Sequence, residues 1–167
     1  MLTNKEKIFL ENIAKKLREK IGIAREPNIY NYGNLLNFIK DLKYDIVFGS
    51  STNCTVNNVI YLKCSELNEN STNEEYVNFQ KDLLYQIWKI SKKKYAIYML
   101  KFNEEDAGYF FRAMLMPKEA FTDEVDKNIG RDGICNIVNI AKKFHVEYTD
   151  ASARIKDLGI FNKNSKY

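Results

Sequence analysis

The sequence predicts an α+β fold that is mostly helical and contains a small mixed sheet. Helical spacing of apolar residues dominates both ends of the chain, and two short segments of β-branched and aromatic residues lie close together between them. Strands and helices do not alternate regularly, which disfavours a doubly wound sheet. With 167 residues, 45% of them hydrophobic, the chain can bury a core of its own. We therefore predict a single domain over residues 1–161 and a polar tail at 162–167.

The first two elements are predicted to be helices. Five apolar residues recur at helical spacing before Gly22, which can end the helix: Leu10, Ile13, Ala14, Leu17 and Ile21. Beyond Pro27, a second helix is predicted from Tyr32 to Leu42. Its inward-facing residues would be Leu35, Leu36, Ile39 and Leu42.

Strands are predicted next. Tyr44–Phe48 and Val59–Leu62 are rich in β-branched and aromatic residues, and the polar stretch Gly49–Asn53 between them indicates a turn. A third strand is predicted at Tyr95–Phe102, because the lysines before it interrupt the helical pattern.

A long helix is predicted between these strands. Thr72 and Glu75 have the spacing of a capping box, in which each side chain accepts a hydrogen bond from the backbone amide of the other residue. The helix should run to about Lys92. Its apolar residues cover more than one stripe, which indicates a central helix with contacts on several sides.

The C-terminal half is predicted to be helical throughout. One helix should run from Glu104 to Met116 and end at Pro117, with its acidic residues in the first turn. Three more are expected at Lys118–Asp126, Asp132–Phe144 and Thr149–Leu158. Thr149 would be the N-cap of the last helix and Gly159 its C-cap.

Composition restricts the function classes. The 26 basic and 22 acidic residues give a net charge of +4, which falls short of a nucleic-acid-binding signature. The one dense basic run, Lys92–Lys94, complements a helix C-terminus. Cys54, Cys64 and Cys135 are odd in number and lack C-x-x-C spacing, which favours reduced thiols in a cytoplasmic protein. Neither a signal peptide nor a membrane span is predicted.

Two segments of the C-terminal half carry a resemblance to a known family. The first runs from Ala107 to Pro117, and the second combines Phe144, Val146, Arg154, Leu158 and Gly159. They resemble the A-N-x-F-A-x-x-L-L-M-P, F-x-V-S and R-L-x-x-L-G motifs of the ImmA/IrrE family of zinc metallopeptidases. The resemblance covers roughly Ile13 to Ile160, and it implies a zincin-like fold.

The zinc-binding motif of that family, H-E-x-x-H, is absent. The chain contains one histidine, so two imidazoles one helical turn apart cannot occur. Aligning the family's F-x-x-x-H-E-x-x-H pattern with Phe79 places Leu83, Leu84 and Ile87 at the two ligand positions and the catalytic base. None can donate a lone pair or accept a proton, so we expect neither a metal nor a cofactor.

An alternative register, shifted by one residue, places Asp82, Leu83 and Gln86 at the same three positions. It supplies one carboxylate and one amide, which do not make a zinc site. The third ligand position of the family corresponds to Glu104, for which we favour a structural role at a helix N-terminus. His145 falls where the family has no ligand. We further predict that Leu83, Leu84 and Ile87 fill the former cleft against Met99, Phe110 or Phe111.

The resemblance implies a regulator in a mobile genetic element or phage. The hypothesis favoured here is a catalytically inactive pseudo-peptidase that binds a protein partner, such as a helix-turn-helix transcription repressor. The partner would lie beside an edge strand near Val59, Ile60, Tyr61 and Leu62. One alternative is a hydrolase with a rebuilt site that uses a cysteine or the acids Glu104, Glu105 and Asp106. Another is a DNA-binding regulator, which is ranked last because no recognition helix is visible.

Overall fold

The computed structural model describes residues 2–23, 32–94, 101–131 and 133–161. The chain divides into two compact units, one formed by Met1–Tyr30 with Arg112–Tyr167 and the other by Asn31–Phe111. The helices are α1 (Asn4–Ile21), α2 (Tyr32–Asp41), α3 (Asn73–Lys94), α4 (Glu104–Leu115), α5 (Lys118–Lys127), α6 (Ile137–Phe144) and α7 (Tyr148–Leu158), and the strands are β1 (Asp45–Val47), β2 (Cys54–Val56) and β3 (Val59–Tyr61).

This composition confirms the α+β prediction, because helices predominate and the strands form one small mixed sheet. The boundary between the two units falls between Phe111 and Arg112, inside α4. A single domain over residues 1–161 stays a prediction. The tail at 162–167, the connection around Pro27 and most of the strand predicted at Tyr95–Phe102 lie outside the described residues.

Helix α1 forms as its periodicity predicts. Leu10, Ala14, Leu17 and Ile21 are buried, and Gly22 adopts a left-handed φ of 78° at the C-cap. The backbone amide of Gly22 donates to the carbonyls at the end of the helix, and a left-handed backbone is accessible to glycine at little cost. At the other end, Thr3 and Glu6 form a capping box that the apolar pattern alone did not indicate.

The last two helices begin at residues other than those predicted. Helix α6 was expected from Asp132 but begins at Ile137, because Ile129 and Cys135 form an antiparallel bridge and the Asn136 side chain accepts from the Asn139 amide. Helix α7 begins at Tyr148, so Thr149 is not its N-cap. Glu147 occupies that position without a side-chain cap. Gly159 is the C-cap, as predicted, with φ 63°.

Two buried arginines bind the carbonyls at the C-terminal end of α4. Arg18 donates to the Met114 carbonyl and, over 2.9 Å, to the Ile23 carbonyl, while the Arg154 Nε donates to the Met116 carbonyl over 2.9 Å. The last carbonyls of a helix have no partner within the helix, so these bonds satisfy groups that would otherwise be buried without one.

Arg154 also joins α7 to α1. Its two terminal nitrogens contact the two carboxylate oxygens of Glu11 at 2.5 and 3.0 Å, which is the bidentate geometry of a strong ion pair. The Arg154 side chain has no exposed surface. Removing one member of such a pair leaves a charge in a poorly solvated place, so the pair makes α1 and α7 interdependent.

In the other unit, the sheet has the strand order β1-β3-β2. β1 pairs with β3 in parallel and β2 pairs with β3 antiparallel. β2 was missed by the sequence analysis, although Asn57 and Asn58 connect it to β3 with φ values of 47° and 63°. Two residues with positive φ are typical of a tight hairpin turn, and asparagine tolerates that conformation.

Helix α3 begins and packs as predicted. The Thr72 hydroxyl accepts from the Glu75 amide at 3.2 Å, and the Glu75 carboxylate accepts from the Thr72 amide at 2.6 Å. Hydrogen bonds to the Glu75 carboxylate from the backbone amide and the side chain of Thr72 lower the pKa of this carboxyl. Trp88 is buried, and its ring centroid lies 5.2 Å from that of Phe110 and 6.4 Å from that of Phe111. The aromatic cluster fixes α3 against the first part of α4.

The Arg154 ion pair yields a stability prediction. Arg154→Met keeps an unbranched apolar stem but removes the donors to Glu11 and Met116, so we expect the free energy of unfolding to fall by about 3–5 kcal/mol. Lys127→Met is the matched control, because Lys127 is mostly exposed and lies 3.8 Å from Glu124. It should cost about 0.5 kcal/mol or less. Urea titration measures both, and similar losses would contradict the role assigned to Arg154.

Candidate functional site

The three positions that the sequence resemblance aligned with a zinc site, Leu83, Leu84 and Ile87, lie in the interior of the protein. Leu83 and Leu84 have no exposed surface and Ile87 has 2%. All three belong to α3, which carries buried residues on several sides as the sequence predicted. Their packing against Phe110 or Phe111 stays a prediction, and Met99 lies outside the described residues. Aliphatic side chains at full burial supply neither a metal ligand nor a general base.

Asp82 and Gln86, the two polar residues of the alternative alignment with the zinc motif, form hydrogen bonds with β2 and the residues beside the sheet. The Thr55 hydroxyl donates to the Gln86 Oε1 over 3.0 Å, and Gln86 is fully buried. Asp82 is half-buried and accepts hydrogen bonds from the Asn53 side chain and the Cys64 backbone amide. Burial raises the pKa of the Asp82 carboxyl, while these hydrogen bonds and Lys63 oppose the rise. The signal that the sequence analysis missed was the Asn57–Asn58 turn, which places β2 beside α3.

Two acidic residues at the start of α4 form hydrogen bonds: Asp106 within the helix terminus and Glu104 with α3. Tyr85 on α3 donates its hydroxyl hydrogen to the Glu104 Oε1 over 2.9 Å. Asp106 and Asn103 form reciprocal hydrogen bonds of 3.0 Å, each accepting from the backbone amide of the other. Carboxylates in a first turn are stabilised by the helix dipole. The Glu104 carboxylate, which the sequence resemblance aligned with a third zinc ligand, therefore accepts a hydrogen bond from a tyrosine of α3.

Cys64, Cys135 and His145 each have a shifted side-chain pKa. Burial raises the pKa of the Cys64 thiol to about 11, with a further contribution from Asp82, and burial also raises the pKa of the Cys135 thiol. Both therefore stay protonated at neutral pH, and a thiol is a poor nucleophile in that form. His145 is the C-cap of α6 with φ 48°. Burial and Lys143 lower the pKa of its imidazole.

The residues expected to bind a partner lie on the central strand of the sheet. The expectation of an edge strand at Val59–Leu62 is wrong, because β3 is hydrogen-bonded to β1 on one side and to β2 on the other. Its backbone groups are used within the sheet, so a partner strand could add only to β1 or β2.

The two faces of the sheet differ in exposure. Paired residues point to the same side, so Ile60 faces inward with Ile46 and Thr55, while Val59 and Tyr61 face outward. Ile60 and Leu62 have no exposed surface. Val47 and Val56 share the outer face with Val59 and Tyr61 and are 43% and 51% exposed. Of the four predicted residues, only Val59 and Tyr61 lie on the outer face.

The motif residues that carry the family resemblance have structural roles. Phe144 and Val146 are buried on either side of His145, whose left-handed backbone ends α6. Arg154 binds Met116, so the two resembling segments contact each other directly. Arg112 adds a second ion pair between α4 and α7, with its Nε 2.7 Å from the Asp157 Oδ2. Within this unit, the residues from Arg112 to Pro117 and from Phe144 to Gly159 therefore contribute to the contacts between its helices.

A cleft of about 600 Å³ lies between α1 and α5 in the same unit. Its lining includes Glu11, Lys15 and Arg18 from α1 and Lys118, Glu119 and Asp123 from α5. Charges of both signs line it, and Glu11 already pairs with Arg154. None of the catalytic, metal-ligand or partner-binding positions predicted from the sequence lies in this cleft.

Comparison with models of protein families, with curated proteins and with solved structures finds no match to this chain. Within residues 2–23, 32–94, 101–131 and 133–161, no group of three or more histidine, cysteine, aspartate or glutamate residues is placed to hold a metal ion. None of the helices in the same ranges combines the length and the hydropathy that a transmembrane span requires.

The burial of α3 is testable at Leu84, the residue that the sequence resemblance aligned with a catalytic glutamate. Leu84→Ala should lower the free energy of unfolding by about 2–5 kcal/mol, because it removes a fully packed side chain and leaves a cavity. Val56→Ala, on the exposed face of β2, is the control and should change it by about 0.5 kcal/mol or less. Urea titration of both variants provides the measurement. Equal and small effects would mean that Leu84 borders an open cleft.

Proposed function

We propose that this chain is a catalytically inactive ImmA/IrrE-like pseudo-peptidase with a zincin-like fold, and that it acts as a protein-binding regulatory module. The observation that carries the proposal is the complete burial of Leu83, Leu84 and Ile87 on α3. A working site would place imidazoles and a carboxylate there, accessible to water and substrate. Aliphatic side chains instead make this segment of α3 part of the core.

The resemblance itself gains support from one contact. The Arg154 guanidinium donates to the Met116 carbonyl over 2.9 Å, joining the two segments on which the resemblance rests. Motifs that are distant in sequence and adjacent in space are expected when both belong to one scaffold. Such a scaffold can persist after the loss of catalysis, because its stability depends on Arg154, Glu11 and the α4 terminus.

The outer face of the sheet is the surface proposed to bind the partner. Val47 on β1 and Val56 on β2 are exposed apolar residues on the two edge strands, and both flank the central β3. Edge strands offer backbone donors and acceptors to an added strand, while side chains on the open face can give specificity. The partner proposed is a protein, with a helix-turn-helix repressor as the specific candidate. Direct binding of nucleic acid is not part of the proposal.

The binding proposal can be tested with a purified helix-turn-helix repressor from a mobile genetic element. Titration calorimetry should detect a complex with the full chain, and the repressor should stay intact on a denaturing gel. Val56→Lys should weaken binding at least tenfold, about 1.4 kcal/mol, because it places a charge in the interface. Ile8→Lys is the control, since Ile8 is exposed on the other unit, and it should leave the affinity unchanged.

Two outcomes would contradict this proposal in different ways. Cleavage of the repressor by the purified chain would show a rebuilt active site and reject the inactive pseudo-peptidase. If neither Val56→Lys nor Ile8→Lys changes the affinity for the repressor, the sheet is rejected as the binding surface.

A further inference from the structure

Two neighbouring polar contacts join helix α3 to strand β2 and the residue before it. Asn53 directly precedes β2 and Thr55 lies within it, while Asp82 and Gln86 are one turn apart on α3. Asn53 hydrogen-bonds to Asp82, and Thr55 hydrogen-bonds to Gln86 over 3.0 Å. Two residues of a strand span about 6.6 Å and four residues of a helix about 6 Å, so the two contacts fit side by side.

The Gln86 side chain has hydrogen-bonding capacity that these contacts do not use. Its Oε1 accepts from the Thr55 hydroxyl, whereas its Nε2 is buried and has no hydrogen-bond partner among the residues that the structure describes. Leaving a buried amide group unsatisfied is costly. Reversing the amide would let Nε2 donate to Thr55, but Oε1 would then need a partner. Either orientation requires one more hydrogen bond.

Asp82 is the nearest group along the helix that can complete this bond indirectly. Residues four apart on a helix have Cβ atoms about 5–6 Å apart, which suits one molecule bridging two hydrogen bonds of about 2.8 Å each. A carboxylate has about four acceptor sites, and the Asp82 carboxylate uses two of them for Asn53 and the Cys64 amide. It therefore has capacity for a further donor.

We propose that one water molecule binds between Asp82 and Gln86, donating to the carboxylate and hydrogen-bonding to the amide of Gln86. Water suits this site because it both donates and accepts, so it satisfies either orientation of the amide. A cation fits less well, since Lys63 already lies near the single carboxylate and only the Oε1 of Gln86 could be a ligand. The bridged pair links β2 to α3 beside the buried Leu83 and Ile87. The proposal rests on contacts within one unit and is independent of the proposed function.

A double variant tests whether the amide is hydrated. The Thr55→Val/Gln86→Met double variant removes both members of the Thr55–Gln86 hydrogen bond together, and Met matches Gln in length. If water satisfies the Gln86 Nε2, the double variant should have a lower urea midpoint than the unmodified chain, because it loses hydrogen bonds and relieves no unsatisfied group. A midpoint equal to or above that of the unmodified chain would show an unsatisfied dry amide and overturn the proposal.

A crystal structure of the unmodified full chain gives a second test that does not depend on the double variant folding. Ordered solvent density within hydrogen-bonding distance of both the Gln86 amide and the Asp82 carboxylate is the expected result. A direct hydrogen bond between the two side chains, or an amide that faces only apolar atoms, would overturn the proposal.

Discussion

The burial of α3 is the constraint on which this account depends. A helix that packs on several sides must place apolar groups at the buried positions, because an unpaired charge or polar group there costs free energy. Leu83, Leu84 and Ile87 meet this requirement. The same three positions would have to be polar in a metallopeptidase of the family that the sequence resembles. These positions can therefore hold either apolar core side chains or zinc-binding side chains, but not both. In this chain they hold apolar core side chains.

The part of the resembling segments that begins at Arg112 stabilises the other unit. Arg154 binds Glu11 and the Met116 carbonyl, and Arg18 binds the Met114 carbonyl, so two buried guanidinium groups satisfy the end of α4. Loss of the Arg154 guanidinium would leave Glu11 without its ion-pair partner, so these residues contribute to the stability of the unit independently of any catalytic activity. The motif residues of this unit therefore have a role in stability. The functional proposal is based on α3 and on the sheet.

The sequence predicted the features that depend on nearby residues. The ends of α1 and α7 at Gly22 and Gly159 and the start of α3 at Thr72 follow from local capping chemistry. Strand β2 has three residues, like β1 and β3, and the signal that would have predicted it is the Asn57–Asn58 turn that follows it. The central position of β3 depends on which strands pair, and the Glu11–Arg154 pair joins residues 143 positions apart. Such contacts between distant residues are not encoded in local spacing, so neither could be predicted.

The zinc content of the purified chain tests the central claim most directly. Protein produced in zinc-supplemented medium and dialysed without chelator should contain far less than one zinc ion per chain by elemental analysis. Its thermal stability should not change on addition of zinc or of a chelator, because the residues that the structure describes include no group of three or more metal-ligating side chains to couple metal binding to folding. A stoichiometric zinc ion, removed by chelator with a loss of stability, would contradict the claim that core side chains have replaced the metal site.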